Sequence, residues 1–531
     1  MPSHDVSSLV AAAAWDRPDM LAVVEASGRS VTWRQLEDEV ARIATGLGTA
    51  GLVAGQRVML AMGNRIEFVA SYLGVLRAQV VAVPVNPRAT SGELARMIAD
   101  SGSRIVVVDA ETLAVVRDAV RLVRAARAGE TDELDADLVS RSHDPRVYVV
   151  GAEVAEGEQP YDALRAAAAV PVPPLPDPEK LACLLYTSGT SGRPRAAMLT
   201  HRALVANIDQ AAAVEPPMIH GDDVVLGVLP LFHVYGLNAV LGGVLRHRAK
   251  LVLAERFEPP ATLDLVEDEA ISVVPVAPPV FAHWLPEEQL RERLGPVRLM
   301  LSGSAPLSPE LIERFSEATG VPVHQGYGLT EASPIVTSTL CSRELQLGSV
   351  GAALPGIEIK LLDEVGHEPE GDDPGEIFIR GDNVFSGYWP DGADGPDPDG
   401  WWGTGDVGFL DGTGDLFLVD RLKDLVIVSG FNVYPVEVED VVHEVPGVAE
   451  VAVIGVDDPS TGEAVVAYVV PAAGAEDVAT AVREHCAVRL ARFKQPTRIE
   501  VVEELPLTGT GKVQKGRLRG RERRRALGLL E

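Results

Sequence analysis

A short apolar run, Leu181–Leu185, ends at Tyr186 and gives way to Thr187-Ser-Gly-Thr-Ser-Gly-Arg-Pro-Arg195. An apolar run of that length, cut off by turn residues, reads as a buried strand. Gly189 and Gly192 let the following backbone take positive φ and approach a ligand closely. The hydroxyls of Thr187, Ser188, Thr190 and Ser191, with the N–H groups between them, present a concave row of donors. Arg193 and Arg195 bring positive charge to its edge. Such a turn suits a polyphosphate, because oriented amides and cations match its charge. The plainer alternative is a flexible Gly/Ser loop. It is not a Walker A loop, since no Gly-Lys-Ser/Thr closes it after four intervening residues.

The flanking segments set the context. Thr32 and Gln35 have capping-box spacing, and Leu36, Val40, Ile43 and Leu47 follow at helical intervals until Gly48 and Gly51. Strands are expected at Arg57–Ala61, Val80–Val85 and Arg104–Val108, with a helix at Glu67–Arg77. This alternation argues for parallel α/β layers. Residues 126–178, rich in alanine, acidic residues and proline, are expected to lead as a linker (ending in Val170–Pro178) into the Leu181 strand. From Gly348 to Arg421, short strands at Ile357–Leu362, Glu376–Arg380 and Leu416–Val419 point to an all-β subdomain. Ser386–Trp389 and the acidic loop Asp391–Asp399 are expected at its surface. Strands at Val451–Val456 and Ala464–Val470 and a helix at Val478–Leu490 suffice for a small α+β domain. At 531 residues the chain is too long for one core.

Charge excludes some partners. Lys+Arg 47 against Asp+Glu 77 leaves −30, which favours neither nucleic acid nor anionic membrane. No apolar run is long enough for a transmembrane segment. Cys183, Cys341 and Cys486 form neither a zinc pattern nor a disulfide framework, so a cytoplasmic setting is expected.

Further segments concentrate chemistry-bearing side chains. Leu229-Pro-Leu-Phe-His-Val-Tyr-Gly-Leu237 sets His233 in apolar company, where a packed core histidine is the common outcome. Val273–Pro279 reads equally as a pocket wall or a core strand. Leu299–Leu307 runs from a strand into a tight turn. In His324-Gln-Gly-Tyr-Gly-Leu-Thr-Glu331, Gly326 and Gly328 leave space around Tyr327, and Thr330 and Glu331 supply a hydroxyl and a carboxylate. Trp402-Gly-Thr-Gly-Asp406 places one carboxylate behind two glycines, suited to accept from both hydroxyls of a ribose diol. Leu505-Pro-Leu-Thr-Gly-Thr-Gly-Lys512 carries a lysine behind a Gly/Thr loop, and Arg517–Arg525 reads as a solvated helix end.

In this order the motifs resemble the adenylate-forming superfamily of acyl-CoA synthetases, luciferases and peptide-synthetase adenylation domains, with similarity to 4-coumarate–CoA ligases. The resemblance runs from Thr32 to Lys515. It implies an α/β fold: a large N-terminal domain (1–421) of two layered α/β sheets plus a small β-barrel-like subdomain, hinged near Lys423 to a small α+β domain (422–531). It implies ATP phosphate contacts at Thr187, Ser188, Gly189, Thr190, Ser191, Gly192 and Arg195. The family usually has Pro-Lys-Gly where this chain has Pro194-Arg195-Ala196.

By the same resemblance the backbone of Ser304, Ala305 and Pro306 meets the purine, with Ser304 where glycine is commoner. Gly326 and the Tyr327 ring meet the adenine, Thr330 the phosphates, Glu331 a Mg2+ ion, and Asp406 with Arg421 the ribose. His233 gates the carboxylate pocket, Val234 and Tyr235 face the acyl or aryl group, and Val276 and Ala277 form its wall. Peptide-synthetase domains carry an Asp near His233, so an amino-acid substrate is disfavoured. Ser429 and Gly430 border the path of CoA, and Lys512 is the catalytic lysine of adenylation. The implied reaction joins a carboxylic acid, foremost a fatty acid, to ATP with release of pyrophosphate, and then to CoA with release of AMP. An aryl acid such as a hydroxycinnamate, transfer to a carrier protein, and a non-catalytic nucleotide binder are the alternatives.

Overall fold

The computed structural model describes residues 5–526 apart from 174, 176, 188–194, 306, 364, 370–372, 422–423, 429–430, 459–460, 476 and 509–510. The expectations at Ser188, Gly189, Thr190, Ser191, Gly192, Pro306, Lys423, Ser429 and Gly430 lie outside the described residues.

Two seven-stranded sheets dominate. The first runs in the order Gln159–Pro160, Arg146–Val150, Ile105–Asp109, Arg57–Ala61, Val81–Pro84, Leu181–Thr187, Arg195–Thr200. Its neighbours are parallel except the last pair, Leu181–Thr187 and Arg195–Thr200, which is antiparallel. The second runs Val323–Gln325, Leu299–Ser302, Val273–Val276, Val224–Gly227, Lys250–Leu253, Leu21–Glu25, Ser30–Thr32, again parallel up to a terminal hairpin. Strands such as Ile105–Asp109 and Val273–Val276 are buried along their whole length, which is why they read as continuous apolar runs and not as alternation.

The helix Trp33–Thr49 shows how sequence becomes packing. Thr32 Oγ1 accepts from the Gln35 amide at 3.2 Å, and Gln35 Oε1 accepts from the Thr32 amide at 2.8 Å, closing the capping box. Leu36, Val40, Ile43 and Leu47 are fully buried, each contributing roughly 1.5–3 kcal/mol of transfer free energy. Gly48 falls inside the last turn, and it is Gly51, at φ +80°, that redirects the chain.

The stretch 126–178 is more than a linker. It completes the helix Leu113–Ala128 and adds a second, Ala136–Arg141, and two strands, Arg146–Val150 and Gln159–Pro160, extend the first sheet. Alanine and charge mask the apolar Val147–Val150 within it. The small barrel-like subdomain is a four-stranded antiparallel sheet: Glu358–Leu362, Gly375–Arg380, Trp402–Leu410 and Leu416–Arg421. Asp406 thus lies within a strand, with Arg421 directly opposite in register. The C-terminal α+β unit pairs Val448–Asp458 with Gly462–Pro471 and packs helices Pro435–His443 and Val478–Arg489 around Val453, Val465 and Val482.

Candidate active site

A cavity of about 920 Å3 opens where parallel strands of both sheets end. Pro84 and Thr187 close two strands of the first sheet, and Ser302 and Gln325 two of the second. All four line it. Open α/β sheets present ligand sites at the carboxyl ends of their strands.

Thr187, Arg195, His233, Val234, Tyr235, Ser304, Gly326, Tyr327, Thr330, Glu331, Asp406 and Lys512 share this cavity. The glycines here are steric requirements. A Cβ on Gly328 would lie 2.3 Å from the Pro334 carbonyl oxygen, and one on Gly303 2.8 Å from the Tyr235 ring. Ser304 sits at φ +75°, the left-handed region that disfavours a side chain.

The Tyr327 hydroxyl donates to Asp406 Oδ2 at 2.7 Å, so the strand carrying Asp406 is tied to the turn carrying Glu331. Glu331 is buried and its Oε1 accepts from the Tyr388 hydroxyl at 2.7 Å. Burial, then the Glu331 charge, push the Tyr388 phenol well above its usual range, so it remains the donor. Arg195 lies with its guanidinium carbon 3.8 Å from the Tyr388 ring centroid and pairs with Asp394 at 2.7 Å.

His233 is half-buried in the wall. Burial, reinforced by the nearby Lys512 ammonium, lowers its pKa to about 4, so the imidazole is neutral at neutral pH. Lys512 stands in a tight hairpin: its amide donates to Thr508 Oγ1 at 3.0 Å, and the Thr508 amide donates to the Lys512 carbonyl at 2.7 Å.

Two expectations are corrected. Val276 is buried in the core behind the second sheet, while Val273 and Pro275 face the cavity, because strand residues alternate faces. Neither Ala277 nor Ala305 lines the cavity. Ser386 and the acidic residues of Asp391–Asp399 lie at the surface as expected, and Tyr388 and Asp394 also line the cavity, while Trp389 Nε1 donates to the Asp100 carbonyl at 2.9 Å. Tyr388, Asp394, Trp402 and the apolar group Ile208, Met218, Ile219 and Val240 are cavity residues the sequence did not flag. No local pattern marks them, since they arrive by long-range pairing. Among the described residues no helix is long and apolar enough to cross a membrane, and no three His, Cys, Asp or Glu side chains cluster as a metal site.

Comparison with known proteins identifies the family. Residues 10–389 match the AMP-binding enzyme family, and residues 437–512 match the AMP-binding enzyme C-terminal domain. A long-chain-fatty-acid–CoA ligase of Escherichia coli O157:H7 is 36% identical over 93% of this chain and 91% of its own. The 4-coumarate-CoA ligase 1 of Narcissus pseudonarcissus is 32% identical over 93% and 89%. The crystal structure of ATP-bound MatB from Rhodopseudomonas palustris superposes with a TM-score of 0.85 at 33% identity, covering 97% of this chain and 98% of that one. This chain therefore belongs to the AMP-binding, adenylate-forming enzyme family, among its acid–CoA ligases.

Proposed function

We propose that the chain is a fatty acid–CoA ligase that first forms an acyl-adenylate from ATP and then passes the acyl group to the CoA thiol. The observation that carries this reading is one cavity holding Arg195, Thr330, Glu331, Asp406, His233 and Lys512 together. Tyr327 and Asp406 receive the nucleoside, with Arg421 opposite Asp406 in register. Arg195 and Thr330 hold the departing pyrophosphate. Lys512 stabilises the negative charge that grows between carboxylate and α-phosphate, a task of positioning and electrostatics. Neutral His233 borders the carboxylate without adding a competing positive charge.

The residues fit Mg2+, which takes one or two protein oxygens and completes its shell with phosphate and water. Glu331 is a buried carboxylate whose Oε2 accepts no hydrogen bond among the described residues. When bound, the ion neutralises charge on the phosphates.

The acyl arm favours an apolar tail. Ile208, Ala211, Met218, Ile219, Val240 and Val273 line it. Arg195 and Lys512 are the cavity's only Lys or Arg side chains among the described residues. A second carboxylate in the tail would find no further Lys or Arg side chain among the described residues of the lining, so its desolvation would go without a cationic partner there. The 36% identity to a long-chain-fatty-acid–CoA ligase supports the same choice. The Tyr235 ring in the wall favours an aryl acid as the second reading. The second half-reaction places CoA beside Ser429 and Gly430 and turns residues 422–531 about Lys423 against residues 1–421, in the cytoplasm.

The test is pyrophosphate release from ATP and Mg2+ with a panel of saturated fatty acids, hydroxycinnamates and dicarboxylates. Fatty acids should lead. A faster hydroxycinnamate would favour the aryl reading, and no release with any acid would overturn the ligase.

A further inference from the structure

The segment 383–402 is built into the candidate site more tightly than a surface loop needs to be. Ser386 donates from its amide to the Met198 carbonyl, Met198 to Gly387, and Trp389 to Ala196, adding a short strand to the edge at Arg195–Thr200. The register sets Tyr388 opposite Ala197. Arg195 shares a face with Ala197 and is the diagonal neighbour of Tyr388. The small alanine leaves the tyrosine ring open to the guanidinium, which stacks at 3.8 Å. Gly387, at φ +92°, turns so closely that a Cβ would lie 2.2 Å from the Gly392 carbonyl oxygen.

The same segment reaches Glu331 twice. The Phe385 amide donates to the Glu331 carbonyl at 2.8 Å, and the Tyr388 hydroxyl to Glu331 Oε1 at 2.7 Å. Phe385 stands between Tyr388 and Trp402, its ring centroid 5.0 Å from each. The Trp402 Nε1 donates to the Asp394 carbonyl at 2.9 Å, placing the carboxylate that pairs with Arg195.

From this we infer that Tyr388 is a positioning residue for adenylation. Its hydroxyl orients the Glu331 carboxylate while its ring seats the Arg195 guanidinium, so one side chain sets the distance between the acidic and the basic phosphate-site groups. The inference rests on the reading of Glu331 as the divalent-cation residue and Arg195 as the phosphate residue.

The test compares Tyr388→Phe, Tyr388→Leu and Glu331→Gln with wild type, using Mn2+ and α,β-methylene ATP as probes. Electron paramagnetic resonance gives the Mn2+ affinity of the ternary complex, and binding in EDTA gives the affinity for the analogue alone. Phenylalanine keeps the ring packed edge-on against Phe385, so Tyr388→Phe should fold and bind the metal-free analogue like wild type. Its Mn2+ affinity should fall about 10–100-fold, the usual cost of losing a residue that orients a metal ligand. In pyrophosphate release its half-saturating Mg2+ should rise while the KM for the acid stays put. Tyr388→Leu should in addition weaken the metal-free analogue. Wild-type Mn2+ affinity in Tyr388→Phe, with loss in Glu331→Gln, overturns the positioning role alone. Wild-type Mn2+ affinity in Glu331→Gln overturns the reading of Glu331 and the inference with it.

Discussion

Replacing Lys512 by alanine separates the two half-reactions. The hairpin that presents Lys512 is held by backbone groups and the Thr508 hydroxyl, so truncation removes the ammonium and leaves its support in place. A single preorganised group aimed at developing negative charge is worth about 100–1,000-fold in kcat, or about 2.7–4 kcal/mol. Rapid-quench measurement of pyrophosphate release from acid and ATP should show that loss. Thioester formation from synthetic acyl-adenylate and CoA should be largely spared, because the charge on the α-phosphate is already in place. A second readout follows from His233, whose pKa of about 4 reflects burial first and Lys512 second. In Lys512→Ala the His233 pKa, followed by NMR, should rise yet stay below 6.5. Equal losses in both half-reactions, or an unmoved His233, would refute the role.

Three further outcomes are expected. Arg195→Lys keeps the charge but gives up a flat guanidinium on Tyr388, worth about 0.5–1 kcal/mol. Its ATP KM should therefore rise about 2–5-fold, against about 10–100-fold for Arg195→Ala, and equal KM values for Arg and Ala would show that phosphate does not use this residue. Ser304→Gly relieves a left-handed serine and should stabilise by about 1 kcal/mol or less; a lower Tm would contradict the strain. His201 and His233 each titrate at about 4 in the folded chain instead of 6.5, chiefly through burial. Between those values the unfolded chain binds protons that the folded chain refuses, so stability falls as pH falls from 6.5 to 4. In His201→Gln the urea midpoint should depend less on pH across that window, and unchanged dependence would exclude His201 as a source.

What could be read from the sequence follows chain-local physics. Thr187, Tyr327, Thr330 and Glu331 flank abrupt strand-to-turn transitions, where glycine and hydroxyl residues mark a ligand-facing bend. The capping box at Thr32 and the stripe from Leu36 to Leu47 are equally local. Tyr388 was legible only as part of a surface segment, because its partners Ala197, Glu331 and Arg195 come from 57 to almost two hundred residues away. The pocket face of Val273–Val276 escaped for another reason. All four residues are buried, so no alternation of polarity reveals which pair faces the cavity. Ser304 stands in a tight turn where glycine is commoner, and its left-handed φ is imposed by that turn after Leu299–Ser302, which the serine itself does not reveal.

The central claim is a ligation through an adenylate, and product balance tests it most directly. With ATP, Mg2+, CoA and a long-chain fatty acid, quantitative mass spectrometry should find acyl-CoA, AMP and pyrophosphate rising in equal amounts. Omitting CoA should leave pyrophosphate and enzyme-bound acyl-adenylate. Pyrophosphate without acyl-CoA in the complete mixture, or ADP and phosphate in place of AMP and pyrophosphate, would contradict the account.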